Sequence, residues 1–217
     1  MRYLPRIVLF GGLLPGILFG CAGRWDLPLV WAYVGVLISA SVAVLLAIDP
    51  DLLRERVKPG PGGEDRNLRF LAMPFFLAHL VIAGLDVGRF HWSDTIPTWV
   101  RVGGLLGVAF AYSLTIWAMR VNRFFSPVVR IQTERGHRLV TSGPYAWIRH
   151  PGYAAALIMI GASGLALGSW WSFVPVVGVA PLMFRRILLE DRFLPKNLEG
   201  YADYARRVRY RLVPGVW

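Results

Sequence analysis

The chain has 217 residues, of which 55% are hydrophobic and only 17% charged, with a formal net charge of +11. A soluble domain of this length carries about a quarter charged residues, so the composition excludes an ordinary soluble class. The single cysteine, Cys21, excludes an internal disulfide and reads as packing.

The apolar residues are gathered into long uncharged runs. The first, Ile7 to Ala22, follows Arg2 and Arg6. Because further runs come after it, it reads as a membrane helix and not as a cleaved signal peptide. Leu27 to Ile48, Phe70 to Leu85 and Val102 to Met119 follow. Each is near the roughly 20 residues that carry a helix across about 30 Å of hydrocarbon. The run from Pro151 to Phe184 is longer, at 34 residues. As one helix it would extend roughly 50 Å at about 1.5 Å per residue, too far for one crossing. Gly168-Ser169 near its middle predicts a turn, and so a hairpin of helices over 151–167 and 170–189. The expected fold is all-α: a polytopic transmembrane bundle of five or six membrane helices with a C-terminal helical hairpin.

Two parts follow from this pattern. Residues 1–119 hold the N-terminal transmembrane helices and one loop, 49–69. That loop begins as a helical turn, Asp49-Pro50-Asp51-Leu52-Leu53-Arg54-Glu55-Arg56, and is expected to become flexible at Lys58-Pro59-Gly60-Pro61-Gly62-Gly63. Residues 120–217 hold a polar segment with a turn at Ser142-Gly143-Pro144, then the hairpin and a basic tail. With six crossings, all Lys and Arg residues except Arg24, Arg89 and Arg101 fall on one side. The positive-inside rule then places both termini in the cytoplasm. Anionic lipid headgroups are the expected partners of that face, and no nucleic acid is expected.

The residues able to do chemistry lie on this cytoplasmic side. Glu134-Arg135-Gly136-His137-Arg138-Leu139-Val140 and Ser142-Gly143-Pro144-Tyr145 precede the hairpin; Arg149-His150-Pro151-Gly152-Tyr153 opens it. Arg185-Arg186 with Glu190-Asp191 closes it, and a hairpin returns its two ends to one membrane face. Pro151 suits the first turn of a helix, which puts His150 at the entrance beside backbone donors that favour a carboxylate. Tyr145 and Tyr153 fit either an adenine or ribose pocket or the interfacial aromatic belt. Arg186 and Glu190, four apart, share a helix face; they read either as a surface ion pair or as a clamp for an anionic acceptor and a cationic cofactor. Asp191 is expected to face solvent, and His79 to make a polar contact inside the bundle. With no HExxH, no CxxC and no dense Cys/His/Asp set, no metal site is expected. No Gly-rich loop of Rossmann or P-loop type is present.

Taken together, these motifs resemble the isoprenylcysteine carboxyl methyltransferase family and its bacterial relatives. The resemblance runs from Gly136 to Tyr145 and from Arg149 to Tyr153. It resumes at Arg186, Glu190, Leu194, Gly200-Tyr201, Tyr204, Arg207-Val208 and Pro214, covering about residues 120–217. The 49–61 loop also looks like the bacterial members. The family implies a helical pocket for S-adenosyl-L-methionine, contributed here by His137, Arg138, Leu139, Val140, Tyr145, His150, Pro151, Gly152, Tyr153 and Glu190. Arg186 matches the family's substrate arginine and would be the catalytic and substrate-binding residue. Two positions depart from the family: Arg130 stands where the eukaryotic enzymes place a glutamine, with Gln132 nearby but off register, and Glu190-Asp191 stands where two glutamates are frequent.

The expected activity is methyl transfer to the carboxylate of a prenylcysteine-like or other lipophilic acceptor that enters from the bilayer. Attack of a carboxylate on a methylsulfonium destroys two charges, which a dry site favours, and it requires alignment without a general base. Methylation of a phospholipid amine or a small thiol is the nearest rival. An NADPH-dependent membrane reductase is the competing class, although such enzymes are generally longer. A transporter would place its charges near the midplane and not at one face.

Overall fold

The computed structural model describes residues 9–63 and 65–217. Arg2, Arg6 and the start of the first apolar run at Ile7 and Val8 lie outside them. Among the described residues the regular structure is entirely helical. The α-helices are α1 (Leu14–Ala22), α2 (Pro28–Ala47), α3 (Pro50–Val57), α4 (Leu68–Leu85), α5 (Thr98–Val121), α6 (Pro151–Leu167), α7 (Phe173–Asn197) and α8 (Tyr201–Arg207). Pro28, Pro50 and Pro151 each sit in the first turn of a helix, where the missing N–H leaves no donor unpaired.

Three stretches, Pro28–Ala47, Phe70–Phe90 and Thr98–Val121, are long and apolar enough to cross a membrane; Gly11–Ala22 and Pro151–Leu167 are shorter apolar helices. The last of these ends at Gly168, whose φ of +80° is the left-handed turn expected at that position. The hairpin differs from expectation in two respects. Its second helix starts at Phe173 and runs on to Asn197, so that Arg186, Glu190 and Asp191 are carried on continuous helix. Its two arms also touch little: α6 lies along α5, whereas α7 packs on α4.

Small residues explain the first of those pairings. A Cβ on Gly104 would lie 2.4 Å from the Ala166 backbone nitrogen, and one on Gly107 would lie 2.8 Å from the Ala162 Cβ. The backbones approach closely only because these positions are small, which is how helices associate where lipid removes the hydrophobic drive. The main core joins Leu14, Leu18, Tyr33, Leu37, Leu80, Val108 and Ala166 from five of the helices.

Polar groups buried in the bundle are paired with one another. His79 is 2% exposed. Its Nδ1 lies 2.9 Å from the Ser172 carbonyl and its Nε2 2.8 Å from Ser163 Oγ, and Tyr33 Oη is 2.8 Å from the same Oγ. His79 therefore makes the expected contact inside the bundle. At the far end, Asp86 accepts from Ser93 N (2.9 Å), Ser93 Oγ (2.6 Å) and Ser169 Oγ (2.5 Å), which ties the loop after α6 to the loop after α4. Unpaired, such groups would cost several kcal/mol each in an apolar surrounding, on the order of 2–7 kcal/mol.

The loop after α3 is not slack. Gly60 N donates to Glu55 Oε2 at 3.2 Å, Arg66 donates to the Gly60 and Gly62 carbonyls, and Asp65 Oδ1 accepts from Val129 N at 2.8 Å. Gly63, at φ +100°, lies where a Cβ would be 2.1 Å from Val128. The expectation of a flexible segment is therefore corrected. Sequence composition registered the glycines and prolines but not that the loop lies against residues 126–130.

Candidate active site

The polar stretch between α5 and α6 has little regular structure, yet side chains hold it in place. Asn122 Oδ1 accepts from Phe124 N at 2.9 Å, and the fully buried Gln132 donates to the Phe124 carbonyl at 2.7 Å. Arg130, 6% exposed, donates to both Glu55 oxygens at 3.1 and 2.8 Å and to Glu134 at 2.6 Å. Its guanidinium is thus committed to the wall, and Arg130 joins this segment to α3.

These ties enclose a cavity of ≈ 340 Å³. His137, Arg138, Leu139, Val140, Tyr145, His150, Pro151, Gly152, Tyr153, Arg186 and Glu190 all line it, so the structure gathers every site residue named from sequence around one cavity. The volume lies within the range of small-molecule sites, about 300–1,000 Å³. His137 stacks on Phe124 with ring centroids 4.6 Å apart, and its Nδ1 accepts from Gln132 N at 3.2 Å. Burial, helped by the cations of Arg130 and Arg135, holds its pKa down at about 4. The ring is neutral at pH 7, and its Nε2 carries the proton. Tyr145 Oη accepts from Asn122 Nδ2 at 3.2 Å, and Tyr204 Oη donates to the Tyr145 carbonyl at 2.8 Å. Tyr145 and Tyr153 both line the cavity. Gly152 is required by proximity, since a Cβ there would lie 2.4 Å from the Phe125 ring.

Three residues link the two ends of the hairpin. Tyr153 Oη donates to Glu190 Oε2 at 2.8 Å and receives Arg186 Nε at 2.6 Å. The shared face of Arg186 and Glu190 is thus bridged by the tyrosine of the opposite arm. Glu190 Oε1 has no donor among the described residues. Arg186 Nη1 lies 3.0 Å from Asp65 Oδ2, a partner absent from the sequence reading.

Arg186, Tyr153 and Ala156 also line a second cavity of ≈ 360 Å³. Its remaining wall is mostly apolar, from Leu37, Phe75, Phe76, Met159, Val176 and Met183 among others. It occupies the gap left where α6 and α7 diverge. From Tyr153 to Ser163 it follows about 15 Å of α6 at ~1.5 Å per residue.

Asp191 does not face solvent. Its side chain is 7% exposed and accepts from Arg149 Nη1 (3.2 Å), His150 Nε2 (2.9 Å), Tyr201 Oη (3.4 Å) and Arg211 Nε. The C-terminal tail folds back to make this possible: Arg149 N and His150 N donate to the Tyr210 and Arg211 carbonyls, each at 2.9 Å. The His150 ring is therefore turned to Asp191, and what it offers the cavity is its place at the N-terminus of α6. Burial alone would raise the Asp191 pKa, but His150, Arg211 and Arg149 outweigh it and hold the pKa at about 2.

Asp191→Asn is expected to cost about 3–5 kcal/mol, because it leaves buried cations without their counter-ion. Thermal unfolding in detergent measures this, and an unchanged midpoint would show that the cluster is not structural. The acid limb has two parts. His137, depressed below its ordinary ~6.5, contributes stability that is full above that pH and is lost as pH falls through about 4. Asp191, depressed below ~3.9, contributes above that value and its share is lost as pH falls through about 2.

Sequence reasoning missed Asp65, Phe124 and Phe125, and it named Tyr204 in the motif series without a place at the site. The adjacent phenylalanines were the one available signal, as two large aromatics in an otherwise polar segment.

Comparison with known proteins bears on the same region. Residues 104–196 match the model of the isoprenylcysteine carboxyl methyltransferase family. The cobalt-zinc-cadmium resistance protein CzcN of Cupriavidus metallidurans is 33% identical over 133 residues, 58% of this chain and 56% of that protein. The nickel-cobalt-cadmium resistance protein NccN of Alcaligenes xylosoxydans xylosoxydans is 29% identical over 134 residues, 59% and 57% of the two chains. The protein-S-isoprenylcysteine O-methyltransferase of Rattus norvegicus is 32% identical over 119 residues, 51% of this chain and 40% of that enzyme. The chain thus spans about half the length of the curated relatives it matches. The matched residues run from α5 through the cavity wall to the helix that carries Arg186 and Glu190, and over them the chain is similar to the isoprenylcysteine carboxyl methyltransferase family.

Proposed function

We propose that the chain is an integral membrane methyltransferase that uses S-adenosyl-L-methionine to methylate a lipophilic acceptor, in the first instance the carboxylate of a prenylcysteine-like lipid. The observation that carries this reading is the junction of two cavities at Tyr153, Ala156 and Arg186. One cavity sets charged and polar side chains among apolar ones; the other is mostly apolar and is lined mainly by α2, α4, α6 and α7.

The residues of the first cavity fit the cofactor. Glu190 has an oxygen free for a cation, His137 offers a neutral N–H, and the α6 N-terminus suits a carboxylate. Pro151 and Gly152 keep that terminus open and flat, while Arg138, Leu139, Val140 and Tyr145 complete the wall. When bound, the cofactor supplies an electrophilic methyl group on a sulfonium. Arg186 orients the acceptor carboxylate toward the junction with Tyr153 fixing its guanidinium, and the apolar cavity holds the tail and keeps water out.

The test offers purified protein labelled S-adenosyl-L-methionine with prenylcysteines, phospholipids and thiols, alongside calorimetry with that cofactor and with NADPH. Label in a prenylcysteine ester supports the carboxylate reading, and label in an amine or thiol replaces it with the rival acceptor. Heat with NADPH alone assigns the site to reductase chemistry.

Five or six membrane helices, both termini in the cytoplasm and a basic face on anionic lipid complete the proposal. Reporter fusions at each terminus test the topology: a C-terminus on the far side would separate the site from its cofactor and overturn it.

A further inference from the structure

Among the described residues, Asp65 is the one acidic side chain that meets Arg186 from outside both cavities. Its side chain is 2% exposed. One oxygen, Oδ1, accepts from Val129 N at 2.8 Å. The other, Oδ2, is buried 3.0 Å from Arg186 Nη1 yet receives no hydrogen bond, so the contact is a charge pair without hydrogen-bond geometry. Arg186 meanwhile spends Nε on Tyr153 and leaves Nη2 without a partner among the described residues. The cation that lines the junction is thus already paired with a carboxylate before any acceptor arrives. With Glu190 one turn away, the junction carries one positive and two negative charges.

We infer that Asp65 is the resting counter-ion of Arg186 and sets the acceptor-charge preference of the junction, because an acceptor carboxylate must share or take over the guanidinium that Asp65 holds. A bare buried guanidinium is costly, and a carboxylate beside it offsets that cost. The same carboxylate repels a second anion placed on the other side of Arg186. The inference rests on Arg186 facing the acceptor, as proposed above. It adds a residue that limits how tightly anions are held and so lets an unreacted carboxylate acceptor exchange.

The test is a ratio of affinities. N-acetyl-S-farnesylcysteine and its methyl ester share a tail and differ by one negative charge. Their binding to the full chain in detergent is measured by calorimetry for wild type and Asp65→Asn. The amide keeps an oxygen for Val129 N–H and removes only the charge. We expect the carboxylate to bind at least about tenfold more tightly to Asp65→Asn, with the ester within about twofold, since a unit charge several ångströms away in an effective dielectric near 20 acts at that scale. Asp65→Glu should keep the wild-type ratio. An unchanged ratio, or weaker carboxylate binding rescued by Asp65→Glu, overturns the inference and makes Asp65 a support for Arg186. If Asp65→Asn does not fold, Asp65→Ser carries the comparison, and failure of both assigns Asp65 to stability and overturns the inference. Wild type that binds neither probe removes the acceptor cavity and the inference with it. Wild type that binds both probes but transfers no methyl group defeats the proposed function alone, and the ratio still decides the role of Asp65.

Discussion

Arg186→Lys is expected to lose methyl transfer by about 10²-fold or more, the scale of removing one oriented donor from a reacting centre, while S-adenosyl-L-methionine binding stays within a few-fold. The guanidinium does three things at once. Nε holds Tyr153 Oη at 2.6 Å, Nη1 faces Asp65 at 3.0 Å, and the remaining edge lines both cavities. A planar fork can do this because its donors point in fixed, divergent directions. A lysine ammonium is a point charge on a flexible stem and cannot hold the tyrosine and present an edge to an acceptor together. The proposed cofactor contacts come mainly from other residues of the cavity, from His137 to Tyr145 and the start of α6, so they should survive the change. The measurement is paired: calorimetry with the cofactor, and turnover with the best acceptor of the panel. Normal turnover in the lysine variant would reduce Arg186 to a structural charge and remove the main support for an anionic acceptor.

The parts of this arrangement that were legible in the sequence are those carried by local pattern. Uncharged runs of membrane length marked α2, α4 and α5. Pro151 marked the first turn of α6, and Gly168 marked its end. A spacing of four put Arg186 and Glu190 on one face, and both line the same cavity. What could not be read depends on tertiary return of the chain. Asp65 reaches Arg186 across 121 positions only because Gly60, Gly63 and Asp65 itself lie against residues 128–130. Asp191 is buried only because the tail after α8 folds back over Arg149 and His150. An exposed-looking Asp next to a Glu has no local feature that distinguishes it from a solvated one. The hairpin failed in a similar way. The turn was visible, but the separation of its arms follows from α6 finding small residues on α5 while α7 meets α4. That separation creates the apolar cavity, so the feature least legible in the sequence is the one on which the acceptor reading depends.

Glu190→Gln is expected to weaken S-adenosyl-L-methionine binding by about 10- to 100-fold, the worth of a hydrogen bond to a charged group at about 1.5–3 kcal/mol. The substitution is close to isosteric, and the amide oxygen still accepts from Tyr153 Oη, which sits 2.8 Å from Oε2. The Tyr153–Arg186 link should therefore persist, and the loss reports the missing charge on the oxygen that faces the cavity. A second ligand shows where that charge acts. S-adenosylhomocysteine keeps the amino acid group and lacks the sulfonium. If Glu190 holds the ammonium of the amino acid, both ligands weaken together, because both carry it. If Glu190 faces the sulfonium, only the methyl donor weakens, and the variant loses the preference of donor over product. We expect the first pattern, since the α6 N-terminus and Glu190 line the same cavity, linked through Tyr153, and would take the carboxylate and ammonium of one amino acid group. Calorimetry with both ligands on the folded variant separates the two patterns, and unchanged affinity for both would end the assignment of Glu190 to the cofactor.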